Sequence, residues 1–389
     1  MMTETATRSI PFGFPIIGDA EKRAVEQVLN GPILVHGSRV KAFESDFADM
    51  TGAPYALATA SCTASLHLAY FSQKIGPGDE VIVPAQTHVA TAHAVELCGA
   101  TCVFVDGEPR TGNIDLGRIE ENITQRTRAI SVVHYLGMPV EMDRVMKLAR
   151  KSDLFVVEDC ALAMGSSFKG VHAGLWGDVG CFSFYPVKHM TTAEGGMLVT
   201  KDDSLAHQIS RQRAFGVDRT IGERSEPGIY DVTMLGFNYR MNEIEAAIGI
   251  EQIKRMPAFL AAREQNHRVL TKQLRDVDEI RLLDSTNGHF KSGYYCCSVI
   301  LNDTLTVSRP AIVQHMKQQG IGTSVYYPRP VPLLSYYRQK YGHAAAEFPV
   351  ATRLSESSIA LPVGPHLTCE DMGYVAQTLK DAIASVSNR

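Results

Sequence analysis

Six short apolar runs, DEVIVPAQ, TCVFVD, AISVVHYLG, LFVVEDC, CFSFYP and GGMLVT, recur between residues 79 and 200, with segments of helical period such as THVATAHAVELCG and EMDRVMKLARKS between several of them. This alternation restricts the chain to an α/β architecture: a largely parallel sheet with helices on its faces, because parallel neighbours need a crossover that returns the chain to the same end. In open sheets of this type ligands bind beyond the carboxyl ends of the strands. Ser61, Gln86, Asp159 and Ser183 fall near such ends, so one shared pocket is expected.

Upstream, apolar positions predict a helix from about Asp19 to Asn30, followed by the glycine-bounded loop GPILVHG. In SRVKAFESDFADMTG, Val40, Phe43, Phe47 and Met50 recur at spacings of three and four, with Ser38 as the expected N-cap and Gly52 as the stop. YALATASCTASLHLAYFSQ reads as a short strand, a turn at Ser61-Cys62-Thr63 and a helix. Ala206 to Tyr239 reads as irregular, and helical period returns in GFNYRMNEIEAAIGIEQIKRM. At 389 residues the chain suits two cores. The expected division is a large domain over residues 1–255 and a smaller α+β domain over residues 256–389, with GYYCCSVIL, a helix ending near Gly320, TSVYYPRPVPLL and a last helix in the second.

Composition narrows the function classes. No apolar run approaches the roughly 20 residues of a membrane-spanning helix, and MMTETATRSIPFGFPIIG lacks a long apolar core behind basic residues. A cytoplasmic protein is expected. A net charge of −4 offers no basic footprint for nucleic acid. None of the eight cysteines forms the spaced pairs of a zinc site, so no metal is expected and the thiols read as reduced and mostly buried. Cys296 and Cys297, adjacent in a strand-like run, should point to opposite faces.

The chemistry concentrates in SFYPVKHMTTAEGG, where Lys188 lies between an apolar strand and a glycine turn, and in Asp159, 29 residues earlier at the end of LFVVED. A lysine amine and a carboxylate so placed suit pyridoxal phosphate: the amine forms a Schiff base, and the carboxylate keeps the pyridine nitrogen protonated so that the ring draws electrons. Alone, the lysine would read as a solvated side chain and the aspartate as a helix cap. A dinucleotide-binding oxidoreductase shares the strand and helix alternation, but no glycine fingerprint follows the first strand.

ATASCTASLHLA, VIVPAQTHVATAHAV, GATCVFVD with GNID, VVEDCALAMGS, CFSFYPVKHMTTAEGGMLVT and GFNYRMNEIEAAIGIEQI occur in that order. Together they resemble the DegT/DnrJ/StrS family of sugar aminotransferases, closely from about Gly31 to Gln252 and more loosely to Pro362. The resemblance implies a fold-type I pyridoxal phosphate enzyme working as a homodimer with shared active sites. It also implies that Lys188 carries the cofactor and then shuttles protons, and that Asp159 pairs with the pyridinium nitrogen. The phosphate is expected at the helix start around Cys62 and Thr63, with the Ser183 hydroxyl and with Asn238 from the partner subunit. His88 stands where relatives place an aromatic side chain that stacks on the pyridine ring.

Two positions depart from the family pattern. Cys62 replaces a frequent glycine, which a turn supplying backbone amides tolerates at negative φ. Leu162 replaces a polar residue that often faces cofactor or substrate, which puts the usual substrate contacts in doubt. Related sugar dehydratases carry histidine in place of the lysine. Here Lys188 holds that position and His189 follows it, so transamination is favoured over a dehydratase, a lyase or a non-catalytic regulator on the same fold. The expected reaction moves an amino group, from glutamate, to a nucleotide-linked keto-sugar in amino-sugar biosynthesis, with TTAEGG favouring a 4-keto over a 3-keto carbon. His189, Arg240, Tyr326, Tyr327 and Arg329 are the substrate candidates.

Overall fold

The computed structural model describes residues 8–218, 226 and 228–387. The first seven residues lie outside the described part, as do residues 219–225 and 227 of the stretch expected to be irregular.

Nine strands come from the first 200 residues: β1 Tyr55–Thr59, β2 Glu80–Pro84, β3 Thr101–Val105, β4 Thr127–Val133, β5 Phe155–Asp159, β6 Ser167–Phe168, β7 Val171–His172, β8 Val179–Ser183 and β9 Gly196–Thr200. Four follow: β10 Ile280–Leu282, β11 Phe290–Lys291, β12 Cys297–Leu301 and β13 Ser358–Leu361. Seven of them form the main sheet in the order β1-β9-β8-β5-β4-β2-β3. β8, β5, β4, β2 and β3 pair in parallel, and β9 runs against both of its neighbours, β1 and β8. All six expected strands are present, and the sheet is mostly parallel as the alternation predicts.

The strands are apolar throughout because both faces are covered. Val81, Val83 and Val157 pack with Leu66, Leu68 and Val95 of the helices Cys62–Ser72 and Val89–Leu97. Their neighbours Ile82 and Val156 face the other way, against Met142, Val145 and Ala149 of the helix Met142–Ser152. A second, antiparallel sheet, β10-β12-β13, packs with the helices Arg309–Gln318 and Cys369–Ser387. Cys296 and Cys297 enter different apolar clusters, as opposite faces require. Among the described residues no helix is long and apolar enough to cross a membrane, and all eight cysteines are free thiols, six of them buried.

Two local features differ from expectation. The stretch read as irregular from Ala206 opens within a regular helix, Asp203–Gln212; the Asp202 carboxylate caps it by accepting the Leu205 N–H at 3.0 Å, and Leu205, Ala206 and Ile209 form its buried face. The helix Ser38–Thr51 begins with Gly37, not Ser38, as its N-cap. Its first amides are bound instead by the carboxylate of Glu243, which accepts from Gly37 and Arg39 at 3.0 and 2.8 Å. Farther along the chain stands one long helix, Glu243–Leu274, with Pro257 inside it. Its first part packs on the helices Asp19–Leu29 and Ser38–Thr51 and a later part on Cys369–Ser387.

Candidate active site

β5 and β8 end side by side, with Asp159 opposite Cys181. At the end of β5 the Asp159 carboxylate is 4% exposed. Its Oδ2 accepts from the Thr91 hydroxyl at 2.7 Å and its Oδ1 from the Ala161 N–H at 3.0 Å. The Thr91 hydroxyl lies 2.7 Å from that of Thr87. Since an ionised carboxylate only accepts, Thr91 donates to Asp159 and Thr87 donates to Thr91. Asp159 is in no ion pair with a described residue, and its carboxylate is buried.

Lys188 lies in the connection between β8 and β9, which is tied down by its own backbone: Phe184 N–H to Gly195 O at 3.0 Å, Thr192 N–H to Phe184 O at 3.0 Å and Lys188 N–H to Tyr185 O at 2.9 Å. Burial lowers the pKa of the Lys188 ammonium, while Cys62 and Asp159 oppose that shift. The Cys62 thiol is pushed well above its ordinary value by burial and then by Asp159, with Lys188 acting the other way. Lys188, Asp159 and Cys62 therefore share one electrostatic pocket. Lys188 Nζ also lies 5.6 Å from the centre of the Tyr295 ring, within cation–π range.

The turn at Ser61 belongs to the same pocket. Ser61 caps the helix Cys62–Ser72, its hydroxyl accepting the Ala64 N–H at 3.1 Å. The Cys62 and Thr63 amides are first-turn donors without intrahelical acceptors, a ready anion site. β9 passes this turn so closely that a Cβ on Gly196 would lie 2.5 Å from Cys62 N. Gly196 pairs with Ser183, which brings the Ser183 residue beside the turn. An anion-binding helix start, a half-buried amine and a buried carboxylate around one pocket fit the phosphate, aldehyde and ring nitrogen of pyridoxal phosphate.

The remaining candidates divide. His88 caps the helix Val89–Leu97, its Nδ1 accepting the Ala90 N–H at 3.2 Å and its ring 5.7 Å from Tyr327. Burial, and then Lys188, lower its pKa. Tyr327 has its phenol pKa raised well above the ordinary value by burial and then by Asp159, so it too faces the pocket. The Tyr326 hydroxyl lies 2.8 Å from that of Tyr295, and Gln86 Nε2 donates to the Tyr326 carbonyl at 3.0 Å. His189 is buried, its Nε2 donating to Gly293 O at 2.8 Å, and burial drives its pKa well below the ordinary value. Leu162 packs with Tyr135 and Tyr295 in an apolar cluster.

Asn238 is exposed and bridges Ala214. Arg240 lies over the Phe215 ring at 4.9 Å and lines a separate cavity with Val35 and Arg213. Arg329 lines another cavity, beside Arg338 and His343. Among the described residues, none of the contacts of these three side chains reaches Lys188, Asp159 or Cys62. Two residues beside Lys188 and Asp159 were not among the sequence candidates. Thr91 follows His88 by three positions, one helical turn, which is a usable signal; Tyr295 reaches Lys188 only through tertiary packing.

The profile of the DegT/DnrJ/EryC1/StrS aminotransferase family matches residues 15–380. GDP-perosamine synthase of Caulobacter vibrioides is 35% identical over 348 residues, covering 89% of this chain and 91% of that protein. A Streptococcus pneumoniae protein described as a sugar aminotransferase, solved in its PLP form, superposes with a TM-score of 0.91 at 28% identity over 97% of this chain and all of that one. PseC of Helicobacter pylori, an aminotransferase in pseudoaminic acid biosynthesis, gives 0.90 at 28% identity with the same coverage.

Proposed function

The chain belongs to the DegT/DnrJ/EryC1/StrS aminotransferase family and is a pyridoxal phosphate-dependent sugar aminotransferase, and from that premise we propose that it transfers an amino group from glutamate to the 4-keto carbon of a nucleotide-linked sugar. The similarity to GDP-perosamine synthase supports a nucleotide-linked substrate. The observation that carries the chemistry is the buried Asp159 carboxylate sharing a pocket with a Lys188 amine of lowered pKa.

Bound pyridoxal phosphate supplies an electron sink for carbanion chemistry at the amino-bearing carbon. The chain's residues do the rest. Asp159 would face the ring nitrogen and favour its protonated form, and Thr91 and Ala161 keep both carboxylate oxygens in place. The Cys62 and Thr63 amides, with the Ser183 hydroxyl, would hold the phosphate. Lys188 Nζ, whose lowered pKa enlarges its free-base fraction, takes the proton from the donor carbon and returns one in the other half-reaction. The Tyr295 ring below the amine limits its swing. His88 and Tyr327 flank the ring position, and Tyr326, with His189 behind Lys188, shapes the wall toward the substrate.

We take the working unit to be a homodimer in which Asn238 reaches the phosphate held by the partner, with Arg240 and Arg329 contributing to substrate binding. Exposure of Asn238 and of Ile33, Leu34, Ile229 and Leu235 in the single chain supports this. A cofactor-binding unit up to residue 255 and a smaller unit from 256 are part of the same proposal, as is a cytoplasmic location, which suits eight free thiols. The test is the purified enzyme with glutamate against nucleotide-linked 4-keto and 3-keto sugars. Amination of a 4-keto sugar is expected; turnover confined to 3-keto sugars, or absent with glutamate, would overturn the assignment.

A further inference from the structure

Glu243 is the first residue of the long helix and is 2% exposed. Its carboxylate bonds the start of another helix, more than 200 positions away in sequence. Oε1 accepts from Gly37 N–H at 3.0 Å and, more weakly, from Val40 N–H at 3.4 Å, and Oε2 accepts from Arg39 N–H at 2.8 Å. Its own N–H donates to the Leu34 carbonyl at 2.9 Å. No lysine or arginine among the described residues pairs with it, so amide dipoles hold this charge. The approach is close enough that a Cβ on Gly37 would lie 2.4 Å from Oε2. The second glycine of GPILVHG is thus explained by the carboxylate it receives.

These bonds join two segments. One is the loop carrying Ile33, Leu34 and Val35, all more than 40% exposed. The other is the NYRMN segment that ends at Glu243 and carries Asn238 and Arg240. A cavity of about 360 Å³ lies between them, lined by Val35, His36, Lys41, Arg213 and Arg240, and Arg240 Nε faces no hydrogen-bond partner.

We propose that Glu243 is a positioning residue for the sugar substrate: it holds the 33–37 loop beside Arg240, and that loop with Arg240 receives the nucleotide-sugar, while the Asn238–Arg240 segment keeps its own backbone bonds to Ala60, Arg213 and Ala214. This rests on the substrate assignment above. The two half-reactions share Lys188, Asp159 and the Asn238 contact, and the 33–37 loop serves the sugar half. Glu243→Gln sets an amide NH₂ against a backbone donor, and Gly37→Ala pushes the carboxylate away from the other side of the same contact.

Both variants are prepared as full-length holoenzyme, with the cofactor's visible spectrum as the check that the Lys188 site is intact. The donor half-reaction is followed by that absorbance with glutamate alone. The sugar half is followed with the 4-keto nucleotide-sugar on which the unaltered enzyme is most active. In each variant the donor half-reaction should stay within about two-fold, while KM for the sugar rises about ten-fold or more and kcat changes less, as loss of a charge-assisted contact would give. An unchanged sugar KM in both variants, or parallel loss in both half-reactions, overturns the proposal. If the unaltered enzyme accepts no nucleotide-sugar, the substrate assignment itself fails and the proposal falls with it, a result distinct from unaltered kinetics in the variants.

Discussion

Asp159→Asn separates charge from shape. The Ala161 N–H at 3.0 Å can only donate, so the Asn oxygen must take that side and its NH₂ must face Thr91. The Thr91 hydroxyl can then turn to accept from the amide while donating to Thr87. The pocket therefore accommodates Asn, and the stability cost should stay near about 1 kcal/mol, the worth of one rearranged hydrogen bond. What is lost is the carboxylate proposed to face the cofactor's ring nitrogen. An opposite charge at contact distance shifts a pKa by about 1–3 units, each worth about 1.4 kcal/mol, so kcat should fall by about ten- to a thousand-fold. Cofactor affinity should change far less, because the helix-start amides of Cys62 and Thr63 are untouched. Steady-state kinetics gives kcat, and titration of the apoenzyme followed by absorbance gives the cofactor Kd. Turnover within about three-fold of the unaltered enzyme would show that ring protonation does not depend on this carboxylate, whatever the Kd.

Three further outcomes are expected. Because burial lowers the Lys188 pKa, the unfolded apoenzyme binds more protons than the folded one between that pKa and the ordinary value of 10.5, so this penalty fades as pH rises through that window. Lys188→Met apoprotein should therefore melt above the unaltered apoprotein at neutral pH with a gap that narrows toward pH 10.5, and a gap independent of pH would refute the lowered pKa. Gly196→Ala places a Cβ 2.4 Å from the Ser61 carbonyl carbon and 2.5 Å from Cys62 N, both backbone, so the phosphate turn must shift and cofactor Kd should rise more than ten-fold (about 1.4 kcal/mol per ten-fold); an unchanged Kd would separate this turn from the cofactor. Mixing inactive Lys188→Ala and Asn238→Ala chains should restore activity through hybrids with one intact site, and no recovery despite subunit exchange seen by mass measurement would argue against shared sites.

Much of the core chemistry was legible because it is local. Lys188 and Asp159 each follow an apolar strand, and the register of a parallel sheet brings such ends together. The helix start at Cys62 carried its cap, Ser61, beside it. The helix Asp203–Gln212 had the same kind of signal in Asp202, but it lies at the edge of a polar stretch whose character masked it. Contacts closed by tertiary packing left no local mark. Tyr295 meets Lys188 across more than 100 residues, and Glu243 replaces Ser38 as the group binding the amides of a distant helix. Arg240 and Arg329 are visible as basic residues near suggestive motifs, but no pattern in the chain tells which cavity a side chain lines.

The uninterrupted helix Glu243–Leu274 has a mechanical consequence. Its 32 residues span about 48 Å at 1.5 Å per residue. One end holds the 33–37 loop through Glu243; farther along, Arg263 donates to the Tyr295 carbonyl at 3.0 Å, and the Tyr295 ring rests under Lys188. The rod thus connects the 33–37 loop to the ring beneath the Lys188 amine. A displacement of the C-terminal sheet relative to the main one must either carry the rod with it or bend it. Pro257, which lacks the N–H that would close a helical bond, is its weakest joint. A bend there would let the Leu270 end of the rod move with the C-terminal sheet while Glu243 keeps its hold on the 33–37 loop.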